Sequence, residues 1–158
     1  MKKRVIILGG GISKERIVSL DTAKSVHKAL KKSKKYKSII VEPGSDFFKK
    51  IKSFKPNIIF NALHGQFGED GYIQTILESK KLNYTHSGVL SSSIAMDKVI
   101  SKKIFLKNKI LTPKYLTLSS KKNNKNIISY IQKKLKFPIV IKPINEGSSV
   151  NVYICNKN

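Results

Sequence analysis

Cysteine and acidic residues are scarce in this sequence, and long apolar runs do not occur. Cys155 is the single cysteine among 158 residues, so no disulfide can form within the chain, and a reducing, cytoplasmic setting is expected. The apolar run Val5–Leu8 is too short for the core of a signal peptide. No other run approaches the roughly 20 apolar residues that span a bilayer, so we expect no membrane partner.

Positive charge is abundant, but almost all of it is lysine. The sequence has 32 basic and 9 acidic residues, a formal net charge of +23, which suggests a nucleic-acid-binding protein. Only Arg4 and Arg16 are arginines, although arginine is the preferred residue for bidentate contacts with phosphates and bases. The lysines are spread along the chain, so we interpret them as solvated surface residues. We expect no nucleic-acid partner and keep a basic nucleic-acid-binding protein as an alternative.

Two patterns of apolar residues, one typical of strands and one typical of helices, alternate along the first two thirds of the chain. Short apolar runs predict buried strands at residues 4–8, 38–42 and 57–63. Apolar residues spaced by three or four predict helices at 15–30, 46–54, 72–80 and through most of 90–109. Strands that alternate with helices are typical of a parallel sheet covered on both faces.

The pattern changes after Pro113 and predicts a second unit, with a boundary near residues 100–112. Strands are expected at 114–119, 139–142 and 150–155, a helix at 127–135, and a polar surface turn at 119–126.

Two glycine-containing loops follow the first and third predicted strands. The first contains Glu15, and the second, "NALHGQFGEDG", contains His64, Glu69 and Asp70. Ligands of parallel α/β sheets bind outside the carboxyl ends of the strands, so both loops open onto one edge. Glu15 could bind an ammonium group or complement the helix dipole. His64 could donate to a ligand carboxylate or bond to backbone, and the two other acids could cap the next helix.

Two lysines stand beside possible phosphate-binding features. Lys142 ends a predicted strand and precedes the polar loop "NEGSS". A point charge and backbone amides of such a loop can bind phosphate. Lys98 follows Asp97 in a helical run and, taken alone, is one surface lysine among many.

Four stretches in this order resemble the D-alanine–D-alanine ligases of the ATP-grasp superfamily. They are "LGGGISKERIVSL", "ALHGQFGEDGYIQTILE", "YTHSGVLSSSIAMDK" and "FPIVIKPINEGSSV", and the resemblance runs from about Val5 to Val150. It implies an α/β fold in which an N-terminal parallel-sheet (Rossmann-like, pre-ATP-grasp) substrate domain, residues 1–97, precedes the incomplete start of an ATP-grasp domain, residues 98–158. Family members are longer, so the chain resembles only their N-terminal portion.

The resemblance also implies an activity and its residues. These ligases use ATP and magnesium to join two D-alanine molecules for peptidoglycan through an acyl phosphate. Glu15 would bind the ammonium group of the first D-alanine, and His64 would line the same subsite. Ser148 would bond within the substrate site and order its loops, so Glu15 and Ser148 are the expected catalytic residues.

By the same resemblance, Lys98, Lys142 and Ser149 would contact the ATP phosphates. Magnesium ligands are expected outside this sequence, and the complete enzyme is expected to be a homodimer. Asn151 departs from the family pattern, which usually has glycine there, and this change could stiffen or redirect the hairpin. A D-alanine–D-lactate ligase remains an alternative, since the residues that select the second substrate would lie mostly elsewhere. A catalytically inactive truncated fragment is a further alternative.

Overall fold

The computed structural model describes residues 1–119 and 127–156 and forms two compact units, Met1–Ala95 and Met96–Asn158. Most of the predicted polar turn at 119–126 lies outside the described residues. The first unit alternates strands and helices, in the order β1 (Lys3–Leu8), α1 (Arg16–Lys31), β2 (Tyr36–Val41), α2 (Phe47–Phe54), β3 (Ile58–Asn61), α3 (Tyr72–Ser79) and α4 (Val89–Met96), the last of which reaches the boundary.

The three strands of the first unit form a parallel sheet in the order β2-β1-β3. Val5–Leu8, the end of the central strand, is almost completely buried. Successive side chains of a strand point to opposite faces, so Ile6 and Leu8 belong to one apolar cluster while Val5 and Ile7 belong to another. The predicted α/β fold with a parallel sheet is confirmed, and both faces of the sheet are covered.

Helices cover the two faces of this sheet. Residues of α1 pack with Val5 and Ile7, and residues of α2 and α3 pack with Ile6 and Leu8. A Cβ atom on Gly9 would lie 2.5 Å from the Cβ of Ala23. Glycine therefore lets α1 cross close to the end of β1. With all three strands parallel, the loops that follow them begin at a common edge.

The second unit contains α5 (Lys98–Lys107), α6 (Ile127–Lys134), β4 (Ile139–Ile141) and β5 (Tyr153–Cys155). The two strands pair antiparallel, with Val140 opposite Ile154. Over the ranges described, the structure contains no helix that combines the length and apolar character needed to cross a membrane.

The structure corrects three predictions of secondary structure. The strand predicted at 114–119 is wrong, because these residues have no regular secondary structure. The last strand begins at Tyr153 instead of Val150. The helix predicted through 90–109 is interrupted at Asp97, whose carboxylate accepts hydrogen bonds from the amides of Val99 and Ile100 at 2.8 and 2.9 Å and caps α5.

Candidate functional site

Ser13 joins the loop after β1 to the loop after β3. Its hydroxyl donates to the carbonyl of His64 at 2.8 Å and accepts from the amide of Glu15 at 3.1 Å. The turn after β1 depends on glycine, because Gly10 and Gly11 have φ of 88° and 86°, values that glycine adopts readily. The two loops that the sequence indicates at one edge of the sheet are thus in direct contact.

The Glu15 carboxylate lies against the second loop. Glu15 is the N-cap residue of α1, but its side chain makes no capping hydrogen bond. A Cβ atom on Gly65, where φ is 69°, would lie 2.5 Å from Glu15 Oε2. The absence of a side chain at Gly65 therefore makes room for this carboxylate. An anion at this position can bind a ligand ammonium group.

The His64 ring is held on two sides. Its Nε2 atom lies 3.0 Å from the hydroxyl of Thr22 on α1, and its Nδ1 atom lies 3.6 Å from Glu69 Oε1. The side chain retains 30% exposure. The ring is fixed in orientation and remains partly exposed, in the loop that contacts the Glu15 segment.

The two acids of "GEDG" hold the second loop in shape. Glu69 Oε2 accepts from the amide of Gly65 at 2.9 Å, and Asp70 Oδ2 accepts from the amide of Phe67 at 2.9 Å. Asp70 Oδ1 also accepts from the amide of Tyr72, in the first turn of α3, at 3.0 Å. Gly71 is the N-cap residue of α3, so the predicted capping by these acids is limited to the bond from Asp70 to the first helical amide, and Glu69 bonds within the loop.

Two buried amide side chains, which the sequence pattern did not single out, support the same loop. The side-chain NH2 groups of Asn61 and Gln74 both donate to the carbonyl of Gly68, at 2.8 and 2.9 Å. Both residues are buried. Their polar side chains interrupt otherwise apolar segments, and this is the only sequence signal that could have marked them.

In the second unit, hydrogen bonds from Lys98 link the start of α5 to the loop after β4. Its ammonium group donates to the carbonyls of Ile144 at 3.1 Å and Glu146 at 2.5 Å. Burial lowers the pKa of Lys98, and the charge of Lys142 lowers it further, while Glu146 and Asp97 act in the opposite direction. Lys98 is therefore both a structural residue and part of a positive site.

Lys102 extends this group of lysines. Burial lowers the pKa of Lys102, and the charge of Lys142 adds to the effect. Its ammonium group donates to the hydroxyl of Thr112 at 2.7 Å and to the carbonyl of Pro113 at 2.8 Å. Lysines that disfavour one another's charge form a site that a bound anion would stabilise.

The loop between β4 and β5 has an unusual backbone. Ser148, Ser149 and Asn151 have φ of 43°, 59° and 54°. Non-glycine residues rarely occupy this left-handed region, although asparagine does so more readily than most. Asn151 therefore preserves a turn that glycine would also allow. Such backbone conformations concentrate at ligand-binding sites.

The predicted site residues fall into two groups. Glu15 and His64 come together in the first unit. The lysines expected to bind ATP lie in the second unit, where the charge of Lys142 lowers the pKa of Lys98, and the loop after β4 carries Ser148 and Ser149. No three His, Cys, Asp or Glu side chains in residues 1–119 and 127–156 group as metal ligands. These features define an α/β protein with loops suited to small polar ligands and a lysine cluster suited to anions.

Comparisons with known proteins identify the family. Residues 104–158 match the model described as D-ala D-ala ligase C-terminus. The D-alanine--D-alanine ligase of Pelagibacter ubique (strain HTCC1062) is 68% identical over 157 residues, which are 99% of this chain and 51% of that protein. The ligase of the same name from Wolbachia pipientis wMel is 47% identical over 150 residues, 95% of this chain and 46% of that protein.

Solved structures agree. The crystal structure of D-alanine--D-alanine ligase from Bacillus anthracis matches with a TM-score of 0.82 and 36% identity, over 99% of this chain and 50% of that one. A structure of the Bacillus anthracis ligase complexed with ATP has a TM-score of 0.80 and 33% identity, over 98% of this chain and 50% of that one. Over nearly its whole length the chain is similar to D-alanine–D-alanine ligases, as its four motifs predicted. It spans about half the length of the curated relatives it matches.

Proposed function

We propose that this chain supplies the part of an ATP-dependent D-alanine–D-alanine ligase that binds the first D-alanine and begins the ATP site. The observation that carries the proposal is the position of the Glu15 carboxylate against Gly65, in the loop that also holds His64. A zwitterionic amino acid needs an anion for its ammonium group and hydrogen-bond donors for its carboxylate. Glu15 and His64 meet these needs at one edge of the sheet.

The chemistry requires the carboxylate of the first D-alanine to be activated. That carboxylate takes the γ-phosphoryl group of ATP and becomes an acyl phosphate, and ADP leaves. The amine of a second D-alanine then attacks the acyl carbon, phosphate leaves, and the amine loses a proton as the peptide bond forms. Glu15 would hold the ammonium group of the first D-alanine still during both steps, which is a contribution of orientation.

Phosphoryl transfer depends mainly on positioning and charge compensation. Lys98 and Lys142 would provide positive charge for the ATP phosphates, and Ser149 would add a contact from the loop after β4. Ser148 in that loop would bond within the substrate site. The related ligase from Bacillus anthracis has been solved in complex with ATP, which supports ATP as the substrate of this family member.

Magnesium does not fit the side chains of this chain. Magnesium prefers carboxylate oxygens, but the sequence after Asp97 has a single carboxylate side chain, Glu146. The described residues hold no metal-ligand cluster. We assign the metal ligands to a region outside these residues and route no step through the ion.

The finer structural assignments are part of the same proposal. We assign residues 1–97 to a Rossmann-like, pre-ATP-grasp substrate domain and residues 98–158 to the beginning of an ATP-grasp domain. The order of the sheet and the loops at its carboxyl edge support the first assignment, and the match of residues 104–158 to a ligase model supports the second. We also place the protein in the cytoplasm, where ATP is available and a lone cysteine stays reduced, and expect the complete enzyme to be a homodimer.

Glu15→Gln in a complete ligase that carries this segment tests the proposal. The substitution keeps the shape of the side chain and removes the anion, so an ammonium group in the site loses a charged partner, a cost of about 1–3 kcal/mol. The KM for D-alanine should rise about tenfold or more, with the KM for ATP unchanged.

Glu78→Gln is the matched control, because Glu78 lies on α3 and accepts a hydrogen bond from the hydroxyl of Tyr84 at 2.6 Å, outside the site. It should leave both constants at parent values. Steady-state dependence on D-alanine that is the same in Glu15→Gln as in the parent would refute the assignment of Glu15.

A further inference from the structure

Glu42, the first residue after β2, contacts both sides of the segment that carries Glu15. Its Oε1 atom accepts from the amide of Gly11 at 3.0 Å and from Arg16 Nε at 2.8 Å, and its Oε2 atom accepts from Arg16 Nη2 at 2.9 Å. Gly11 lies before Glu15 in the chain and Arg16 directly after it. One carboxylate therefore holds both ends of the six-residue segment 11–16, which contains Glu15.

The sheet order explains how Glu42 reaches this loop. Strand β2 pairs with β1 in parallel, and Leu8 is in register with Val41, so the chain leaves both strands at the same level. A Cβ atom on Gly10 would lie 2.5 Å from Glu42 Oε1. Glycine at this position lets the carboxylate close onto the backbone. The same glycines leave the loop free in φ and ψ, so an external anchor has a large effect on its conformation.

The geometry of the pair differs from that of other ion pairs in this unit. Arg16 meets Glu42 with two parallel N–H···O bonds, a bidentate arrangement that fixes direction as well as distance. Lys49 and Asp46, by contrast, form a pair three residues apart on one helix at 3.6 Å. Hydrogen bonds from Arg16 lower the pKa of the Glu42 carboxyl, and the hydrogen bond from the Gly11 amide acts in the same direction.

The pair is too exposed to serve mainly as a source of stability. The Arg16 and Glu42 side chains are 50% and 40% exposed, and exposed ion pairs contribute little to the free energy of unfolding. The main effect of the pair is to fix the position of the loop after β1. A second anchor, the Ser13 hydroxyl on the His64 carbonyl, ties the same segment to the loop after β3.

We propose that Arg16 and Glu42 are positioning residues that set the place of Glu15 and thereby of the ammonium group of the first D-alanine. That D-alanine is the substrate rests on the proposed function. The effect of the pair on the loop rests on the geometry alone. It predicts that loss of the pair moves Glu15 away from Gly65 and weakens D-alanine binding, without affecting ATP.

Hydrogen exchange on the 158-residue chain tests the effect on the loop. Glu42→Gln retains one oxygen for the Gly11 amide, while Glu42→Ala removes all three contacts. Exchange of the Gly11 amide should therefore accelerate in the order parent, Gln, Ala, with the midpoint of thermal unfolding close to that of the parent. Asp46→Ala, which removes the exposed pair with Lys49, is the matched control and should leave this amide unchanged. Equal exchange in all four proteins would overturn the proposal.

Steady-state kinetics in a complete ligase carrying this segment test the effect on the substrate. Glu42→Ala should raise the KM for D-alanine about tenfold, Glu42→Gln and Arg16→Lys should raise it less, and the KM for ATP should stay within about twofold of the parent, because small misplacements at a positioned group are costly. Parent-like D-alanine constants in Glu42→Ala, or an equal rise for ATP, would overturn the role in positioning. A parent enzyme that does not use D-alanine would instead refute the proposed function and leave the exchange result standing.

Discussion

At the scale of single residues, at least four of the nine acids of this basic chain accept hydrogen bonds from backbone amides. Glu69 and Asp70 accept from amides of the "HGQFGEDG" loop, and Glu42 and Asp97 accept from amides at a strand end and a helix start. A carboxylate that accepts amide hydrogen bonds orders the backbone more than an exposed lysine pair does. The scarce acids therefore determine the shape of the loops that bear the proposed site.

The loops of the site could be located from the sequence, but the residues that support them could not. Glu15 and His64 could be predicted at one edge because glycine loops after two strands of a parallel sheet share an edge; their roles remain predictions. Thr22 and Glu42 could not be predicted, because each makes its contact with a residue 26 to 42 positions away. A single polar residue in a helical or turn pattern does not indicate which distant residue it will contact.

Lys142→Ala in a complete ligase should impair the use of ATP. The substitution removes a point charge from the lysine cluster, and a phosphate group would lose a charge-assisted contact of about 2 kcal/mol. The KM for ATP should rise and kcat should fall, with little change in the KM for D-alanine. Lys133→Ala, on α6, is the control for the loss of one positive charge. Parent values of both ATP constants in Lys142→Ala would count against the assignment.

At the scale of elements, helices and buried strands were predicted better than the strands of the second unit. Residues 114–119 read as a strand in the sequence, but a strand needs pairing, and neither sheet of the described residues includes this segment. Strand β5 starts late because Ser149 and Asn151 have positive φ, which an extended chain cannot accommodate. Loop conformation overrode the local pattern in this case.

Asp97→Ala should destabilise α5. The substitution removes a side chain that accepts from two amides at the start of the helix, a loss of about 1 kcal/mol in the free energy of unfolding of the second unit. Asp97→Asn, which retains a capping oxygen, should recover most of it. Asp46→Ala is the second control, since Asp46 is the N-cap of α2 without a capping hydrogen bond. Denaturant unfolding followed by circular dichroism measures all three, and equal losses for Asp97→Ala and Asp46→Ala would contradict the role of the cap.

At the scale of the whole molecule, the two units differ in how they are stabilised. Every almost fully buried apolar side chain in the described residues lies between Val5 and Leu77, in the first unit. The second unit leaves Val140 and Ile154 on its paired strands 52% and 68% exposed. A two-stranded sheet with an exposed apolar surface is marginally stable alone. The lysine cluster of this unit therefore rests on a less rigid support than the first unit gives to Glu15.

The 158-residue chain alone should not make D-alanyl-D-alanine. Magnesium in phosphoryl-transfer enzymes needs carboxylate oxygens, and Glu146 is the single carboxylate side chain after Asp97. If ATP binds beside these exposed strands as proposed, it would be open to water, which weakens electrostatic stabilisation of the transferred phosphoryl group. Purified chain incubated with D-alanine, ATP and magnesium should release no phosphate coupled to dipeptide, whereas a complete ligase carrying the segment should do so under the same conditions. Sustained dipeptide formation by the chain, lost on Lys142→Ala, would show that these residues suffice and that the metal binds among them.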